Sequence, residues 1–355
     1  MKSSTLKFFL KLAIVWVFAA LFFIFLRRFG VELIVGDDPM YALRWGQLLI
    51  LAAIVGVLSA LMYGTIEITF DRPFFQKRSY ARIIFAKIFI TFFAVKVLMS
   101  VTFLLISKMN TTIVQNTDLK EVLSSKTYWV FFMYFVVVAS LITLIRMVNQ
   151  KFGPGVLWNI FTGKYRNPRE EQRVFMFLDL KASTSIAEKL GHLKYSEFIQ
   201  DCFADLSPVV SKHKVEIYQY VGDEAVLSWP VNGSFEANNC IQSYFEYMDV
   251  LESKSEYYAN KYGEQPIFKA GIHLGKVIVA EVGLIKREIA YHGDVLNTTA
   301  RIQSRCNHFQ ERLLVSDELL QNVSEKRFFQ SEFKGEEVLK GKKIPVAIHG
   351  IRRIE

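Results

Sequence analysis

Hydrophobic residues are concentrated in the first part of the chain, where they form four long runs. The runs cover roughly residues 8–26, 45–68, 83–107 and 128–147. A helix needs about 20 apolar residues to cross a bilayer, and each run is long enough. The first run lacks a small-residue cleavage site and three more runs follow it, which argues against a signal peptide. The pattern predicts an all-α, four-helix transmembrane domain over residues 1–148.

Basic residues beside these runs predict the orientation of this domain. They cluster at the N-terminus, between the second and third runs, and after the fourth: Lys2, Lys7, Arg72, Lys77, Arg78, Arg82, Arg146, Lys151, Lys164, Arg166 and Arg169. Segments rich in Lys and Arg stay on the cytoplasmic side. Arg27 and Arg28 fall on the other side, where Asp37 and Asp38 partly offset them. We therefore expect a multi-pass protein of the cell (inner) membrane, with a cytoplasmic N-terminus and a cytoplasmic soluble half.

Lys96 lies near the middle of the third run, where a charged side chain is costly unless it is paired or hydrated. It is either a functional residue or a structural one held by hydroxyls such as Ser59 or Tyr63, and the structural interpretation is favoured. If the second and third runs pack antiparallel, Glu67 and Lys87 are expected to lie together.

Residues 149–172 are expected to connect the two halves. The Gly153-Pro154-Gly155 sequence ends the fourth helix, and the apolar and aromatic segment 156–161 follows it. This segment suits the lipid interface, where Trp is favoured, and it equally suits packing on a dimer partner. Residues 173–355 then form the second domain.

The second domain alternates short apolar runs with helical patterns. Buried strands are predicted at 174–180, 215–220, 225–229, 268–273, 277–282, 313–315 and 346–351. Helices are predicted from residue 183, over 195–213, over 235–262 and over 294–306. The alternation lacks regular βαβ spacing, which predicts an α+β sandwich.

Composition excludes some function classes. The net charge of +9 hints at nucleic-acid binding, but much of the basic excess flanks the apolar runs, so no nucleic acid is expected as a partner. The three cysteines, Cys202, Cys240 and Cys306, are an odd number without a close pair. This argues against a disulfide framework or a zinc site and fits a reducing compartment.

Two carboxylates follow predicted strands, and a polar pair lies on a later helix. Asp179 ends the strand at 174–180, and Asp223 lies in the turn before 225–229. Carboxylates at the ends of neighbouring strands can share Mg²⁺ ions, which prefer hard oxygen ligands. Asn297 and Arg301 are one helical turn apart and project from one face. Taken singly, these residues are more often turn, cap or solvated helix residues than ligands.

The soluble half resembles the class III nucleotidyl cyclases over about residues 173–351. FLDLKAST and YVGDEA resemble the two metal motifs of that family, and their aspartates are 44 positions apart, as the family leads us to expect. GIHLG and GDVLNTTAR resemble two further motifs, and LKGK resembles the phosphate-binding lysine segment. The motifs lie at residues 177–184, 220–225, 271–275, 293–301 and 339–342.

The resemblance implies an α+β cyclase catalytic domain, with a ferredoxin-like β-sheet and packed helices. Asp179 and Asp223, with the backbone carbonyl of Leu180, would hold two Mg²⁺ or Mn²⁺ ions. Asn297 would orient the ribose of a nucleoside triphosphate, and Arg301 would stabilise charge on the α-phosphate.

The resemblance also implies that Lys342, with Lys340, would bind the terminal phosphates. In this family the catalytic parts come from two subunits, so the two aspartates would face Asn297 and Arg301 of a partner. Because the chain carries one copy of each motif, a homodimer with two equivalent, shared sites is expected.

The base-reading positions depart from the pattern of adenylate cyclases in this family. The usual Lys four residues before the second metal Asp is Gln219, and the usual Asp or Thr seven residues before the Asn is Ala290. Gln can pair with adenine or guanine, and Ala offers no side-chain hydrogen bond. The leading hypothesis is a membrane-bound adenylate cyclase that converts ATP to cyclic AMP. The alternatives are a guanylate or pyrimidine nucleotide cyclase and a non-catalytic nucleotide-binding sensor.

Overall fold

The computed structural model describes residues 2–30, 44–70, 80–109, 126–153, 156–233, 235–324, 328–337 and 345–354. The chain divides into two compact units, Met1–Val148 and Asn149–Glu355. The first unit is helical, whereas the second combines a β-sheet with helices.

The described part of the first unit contains four long apolar helices. They are α1 (Lys2–Gly30), α2 (Trp45–Phe70), α3 (Tyr80–Met109) and α4 (Lys126–Phe152). Each contains a stretch long and apolar enough to cross a membrane: Thr5–Arg27, Trp45–Phe70, Phe85–Thr102 and Tyr128–Asn149. The four helices that the sequence predicts are confirmed, and they fit a transmembrane helical domain.

Small residues let the first two helices approach closely. A Cβ added to Gly56 of α2 would lie 2.5 Å from the Cα of Val17 in α1. Beside this contact, Trp16 stacks on Phe135 of α4 with ring centroids 5.6 Å apart. Close backbone approach at small residues is the usual way in which apolar helices associate in lipid.

Glu67 is the centre of a buried polar network in this unit. Its carboxylate accepts hydrogen bonds from Lys87 Nζ at 2.8 Å and from the Tyr63 hydroxyl at 2.9 Å. Arg146 Nε lies 3.4 Å from the same side chain, and Tyr63 also contacts Thr143 at 2.8 Å. The network joins α2, α3 and α4, and it confirms the predicted approach of Glu67 and Lys87.

The predicted contact of Lys96 with Ser59 or Tyr63 is wrong. Ser59 donates to the carbonyl of Val55, as serines in apolar helices commonly do. The Lys96 ammonium instead lies 4.7 Å from the centroid of the Phe92 ring, one turn earlier in α3. A cation–π contact of this kind offers partial compensation for a charge in apolar surroundings.

The second unit begins with a short helix and continues through an α+β domain. Its helices are α5 (Val156–Phe161), α6 (Ser183–Lys212), α7 (Ala237–Ser253), α8 (Ser255–Tyr262), α9 (Asp294–Ser304) and α10 (Asp317–Leu320). Its strands are β1 (Arg169–Leu180), β2 (Glu216–Val221), β3 (Glu224–Pro230), β4 (Phe268–Val282), β5 (Glu288–His292), β6 (Leu313–Ser316), β7 (Phe329–Glu337) and β8 (Val346–Arg353).

The described strands form one mixed sheet with β1 near its centre. The order is β2-β3-β1-β4-β6-β8-β7, and β5 pairs with β4 beyond this path. Strands β4 and β6 run parallel, while the other described pairs are antiparallel. Alternate residues of β1 pack on opposite faces, as a strand with a period of two requires. Met176 joins a core with α6, α7 and α8, whereas Phe175 joins a second core with Val295 of α9. The predicted α+β fold is confirmed.

Two local predictions are wrong. The strands predicted at 268–273 and 277–282 are one continuous strand, β4, because Gly275 is not a turn residue. It stays extended opposite Arg173, and a Cβ there would lie 2.5 Å from Val295 Cγ2 of α9. The helix predicted at 235–262 breaks into α7 and α8 at Lys254. By contrast, the interruption of α6 at Gly191 agrees with the separate helices predicted from residue 183 and over 195–213.

Strand β1 also starts earlier than predicted, at Arg169, because residues from Arg169 onward pair with β4. Its first residues therefore lie within the segment that the sequence assigns to the connector.

Candidate active site

Two neighbouring strand ends bring the predicted metal ligands together. Asp179 is the penultimate residue of β1 and is paired with Glu224, the first residue of β3. Asp223 lies in the tight turn between β2 and β3, where Gly222 takes a positive φ of 63°. Such a turn favours glycine because a residue with a Cβ is strained there. Asp179, Asp223 and Glu224 thus gather at one corner of the sheet.

Burial and like charge raise proton affinities at this corner. Burial raises the pKa of Asp179, and the charge of Asp223 adds to the effect. Burial also raises the pKa of Glu224 to about 7, and the charges of Asp179 and Asp223 contribute. A cation would relieve this repulsion, and carboxylate oxygens are the ligands that Mg²⁺ prefers.

Carboxylates at this corner do not form a complete metal site by themselves. Across the described residues, no group of three or more His, Cys, Asp or Glu side chains is arranged to hold a metal ion. Backbone or phosphate oxygens would have to complete the ligand set, which is usual for Mg²⁺ at phosphate sites. The side chain of Leu180 is buried, so this residue can contribute only its backbone. Ala182, two residues later, has a φ of 58°, which is uncommon for a residue with a Cβ.

Two residues that sequence reasoning missed also reach Asp179. Lys269 of β4 is paired with Asp179 in register, and its ammonium lies 3.6 Å from Asp179 Oδ2. Gln303 of α9 donates from Nε2 to the same oxygen at 2.9 Å. Both residues are more than nine-tenths buried. A Lys inside an apolar strand was a usable signal for the first, but Gln303 depends on how the helix packs.

Helix α9 carries Asn297 and Arg301 on the side opposite Gln303. Its buried residues, Val295, Thr298, Thr299, Ile302 and Gln303, form one face. At about 100° per residue, Arg301 lies about 160° around the helix from Gln303, and Asn297 about 120°. Asn297 is exposed and Arg301 is partly exposed. The helix therefore turns these two residues away from Asp179 of the same chain.

The predicted base-reading residues lie on two strands that approach each other. Gln219 is exposed on β2 just after an irregularity in its pairing with β3, and Ala290 lies on β5 opposite Ala280. Their neighbours Tyr218 and Tyr291 make an edge-to-face contact with ring centroids 4.7 Å apart. The predicted phosphate-binding residues Lys340 and Lys342 lie outside the described residues.

The chain is similar to known cyclases. The family model described as "Adenylate and Guanylate cyclase catalytic domain" matches residues 166–351. Adenylate cyclase 2 of Rhizobium meliloti (strain 1021) is 35% identical over 207 residues, which cover 58% of this chain and 57% of that protein. Retinal guanylyl cyclase 2 of Homo sapiens is 24% identical over 203 residues, which cover 56% of this chain and 18% of that protein.

The matched region therefore spans just over half of the bacterial relative and less than a fifth of the human one. Among solved structures, a bacterial light-regulated adenylyl cyclase matches with a TM-score of 0.51 and 16% identity. That match covers 61% of this chain and 64% of that chain. At this identity the structural match supports the fold alone.

Proposed function

The chain belongs to the adenylate and guanylate cyclase catalytic-domain family, the class III nucleotidyl cyclases, and from this premise we propose that it is a membrane-bound adenylate cyclase. It would convert ATP to cyclic AMP and pyrophosphate in intracellular signalling. The observation that carries the proposal is the approach of Asp179 and Asp223 at one corner of the sheet, beside Lys269. The similarity to a bacterial adenylate cyclase favours ATP.

Divalent metal ions fit the oxygen ligands at this corner. Asp179, Asp223 and the backbone of Leu180 would hold two Mg²⁺ or Mn²⁺ ions. Bound metal would lower the pKa of the ribose 3′-hydroxyl and neutralise phosphate charge. The raised pKa values of Asp179 and Glu224 support this assignment, because they reflect burial of the carboxylates and repulsion from neighbouring acids, both of which a bound cation would offset.

The remaining steps fall to side chains that position the substrate and balance its charge. Asn297 would hydrogen-bond the ribose and orient its 3′-hydroxyl toward the α-phosphate. Arg301 would donate to the α-phosphate oxygens as the bond to pyrophosphate breaks, which suits a planar guanidinium. Lys340 and Lys342 would bind the terminal phosphates.

A homodimer with two shared sites would unite these residues. Asn297 and Arg301 lie on the far side of α9 from Asp179, so one chain alone has two half-sites that face different ways. We infer that Asp179 and Asp223 of one protomer face Asn297 and Arg301 of its partner.

The base-reading positions specify the substrate less strongly than the other site residues do. A guanylate or pyrimidine nucleotide cyclase is the second candidate, favoured by Gln219 and Ala290 in place of the usual selectors. Gln219 can pair with either purine, and Ala290 cannot reject one by a hydrogen bond. A nucleotide-binding sensor without turnover is the third candidate.

The membrane arrangement is also part of the proposal. Residues 1–148 would anchor the protein in the bilayer of the cell (inner) membrane, residues 149–172 would connect, and residues 173–355 would catalyse on the cytoplasmic side. No nucleic acid is expected as a partner.

A substrate assay tests the proposal directly. Full-length protein in nanodiscs is incubated with ATP, GTP, CTP or UTP, each with Mg²⁺ or Mn²⁺, and cyclic nucleotides are quantified. We expect cyclic AMP to be the main product and Asp223→Ala to abolish it. Cyclic GMP or a cyclic pyrimidine nucleotide as the main product would favour the second candidate. Tight nucleotide binding without any product would favour the third.

A further inference from the structure

Helix α9 contacts Asp179, a proposed metal ligand of the same protomer, through Gln303. The amide of Gln303 donates to Asp179 Oδ2 at 2.9 Å, and the residue is 8% exposed. Lys269 approaches the same oxygen, so these two donors hold one oxygen of the carboxylate and leave Oδ1 for a metal. Hydrogen bonds to a ligating carboxylate fix its orientation and raise metal affinity.

The helix is tightly fixed to the sheet at the position of Gln303. A Cβ added to Gly271 of β4 would lie 2.4 Å from the backbone nitrogen of Gln303, so helix and strand are in direct backbone contact. Two residues after the helix, the thiol of Cys306 contacts the carbonyl of Ala270 at 3.4 Å. A shift of Asp179 would therefore be passed to α9 as a whole, because close-packed elements move together.

The same short helix presents Asn297 and Arg301 on its other side. In the proposed homodimer these residues belong to the site whose carboxylates come from the partner. Each α9 thus touches both active sites, one through Gln303 and the other through Asn297 and Arg301. We propose that Gln303 is a positioning residue that couples the two sites. It hydrogen-bonds Asp179 of one site, and it lies on the helix that carries Asn297 and Arg301 of the other site.

This inference rests on the proposed function and deepens it. A purely structural hydrogen bond would affect folding and nothing else. A positioning bond would also affect metal affinity at the site that uses Asp179. A coupling bond would in addition affect turnover at the opposite site, where Gln303 makes no contact.

The first test measures metal binding apart from catalysis. Full-length Gln303→Met in nanodiscs is titrated with Mn²⁺ in the presence of α,β-methylene-ATP, and free Mn²⁺ is followed by electron paramagnetic resonance. Met keeps the length of the side chain and removes the donor, so we expect affinity to fall about 10- to 100-fold. Gln330→Met makes the same change at an exposed position of β7 and should leave affinity unchanged.

Unfolding temperatures separate misfolding from mispositioning. Gln303→Met should unfold close to the wild-type temperature. If it does not, Gln303→Asn keeps the amide but is one methylene too short to reach Asp179, and it serves as the second variant. Wild-type Mn²⁺ affinity in a folded variant of either kind overturns the positioning role.

The second test separates the two sites in a heterodimer. The metal-side protomer carries Arg301→Ala and keeps Asp179 and Asp223. The clamp-side protomer carries Asp223→Ala and keeps Asn297 and Arg301. The two full-length chains carry different affinity tags, so that tandem purification yields only the mixed dimer, which has one intact site. Gln303→Met is then placed in either protomer.

The two placements have different expected results. On the metal side, the Mn²⁺ concentration for half-maximal activity should rise about 10- to 100-fold. On the clamp side, this concentration should stay the same while kcat falls about 2- to 30-fold, the usual range for coupling between sites. An unchanged kcat on the clamp side overturns the coupling. An inactive parent heterodimer would instead contradict the shared site of the proposed function, and the coupling would fall with it.

Discussion

Both units of this protein bury charged side chains, but they balance the charges differently. In the helical unit, the carboxylate of Glu67 meets two cations, Lys87 and Arg146, and the hydroxyl of Tyr63. In the described part of the α+β unit, Asp179, Asp223 and Glu224 gather near one cation, Lys269. The first network satisfies its acid from three helices, whereas the second leaves acids in excess.

The balance of charge distinguishes a structural polar network from a functional site. A buried acid with matched donors stabilises a particular packing, and removing it is destabilising because its partners are left buried with an uncompensated charge. Acids that raise one another's pKa are poorly compensated, and groups of this kind are enriched at functional sites. Arg173 in the second unit is likewise a buried charge with matched partners. Glu171 and Glu216 pair with it, and its guanidinium carbon lies 4.9 Å from the centroid of the Tyr291 ring.

The largest expected effect comes from removing an acid of the under-compensated site. Asp223→Ala should lower kcat by roughly a thousandfold or more, because metal binding supplies several kcal/mol of transition-state stabilisation. Product formation by full-length protein is the measurement. Asp249→Ala, which removes an exposed acid paired with Arg353, is the matched control. Comparable losses in both variants would show that site geometry is not the cause.

Breaking the satisfied network should act on stability and leave the catalytic steps alone. Glu67→Ala leaves the partly buried cations Lys87 and Arg146 without their buried acid, and removing one partner of a buried ion pair typically costs about 3–5 kcal/mol. We expect a much lower unfolding temperature and yield, with near wild-type KM for ATP in the protein that remains folded. A variant of wild-type stability would contradict the structural role.

A smaller effect concerns Glu224 and pH. Its pKa in the folded protein is about 7, above its ordinary value of 4.5. As the pH rises, the unfolded chain therefore loses this proton at a lower pH than the folded protein does. Its stabilising contribution is therefore complete below about pH 4.5 and is lost as the pH rises through 7. In EDTA, the unfolding temperature of the wild-type protein should fall as the pH rises from about 4.5 to 7, and that of Glu224→Gln should fall less. Added Mg²⁺ should reduce the difference, and equal pH profiles in EDTA would argue against the crowded carboxylates.

The smallest effect is expected at Lys96. Its cation–π contact with Phe92 lies in apolar surroundings, where such a contact is worth about 2 kcal/mol. Leu loses this contact but also removes the cost of keeping a charge there, so Lys96→Leu should change the unfolding temperature little. Cyclase activity in membranes should also stay near wild type if the residue is structural. A change in membrane-bound activity at unchanged stability would assign Lys96 to regulation.

The sequence predicts the elements of this fold better than their contacts. Long apolar runs specify the four helices, and strand patterns around Asp179 and Asp223 place both acids correctly at strand ends. Gly275 misled the prediction because a glycine required for close helix packing has the same sequence signal as a turn. Strands β5 and β7 were missed.

Side-chain contacts between strands, and between the sheet and α9, could not be predicted from the sequence. Lys269 reaches Asp179 through the register of β1 with β4, and Gln303 reaches it through the packing of α9 on Gly271. Neither partner is close to Asp179 along the chain, so local pattern could not reveal them. The direction of Asn297 and Arg301 likewise depends on which face of α9 is buried.

Subunit complementation shows whether each active site is assembled from two protomers. Full-length Asp223→Ala and Arg301→Ala are each assayed alone and then as the purified mixed dimer. We expect two nearly inactive homodimers and a mixed dimer that regains about half of wild-type kcat per dimer, since one of the two shared sites is intact. A mixed dimer as inactive as its parents would show that the active sites are not shared between protomers.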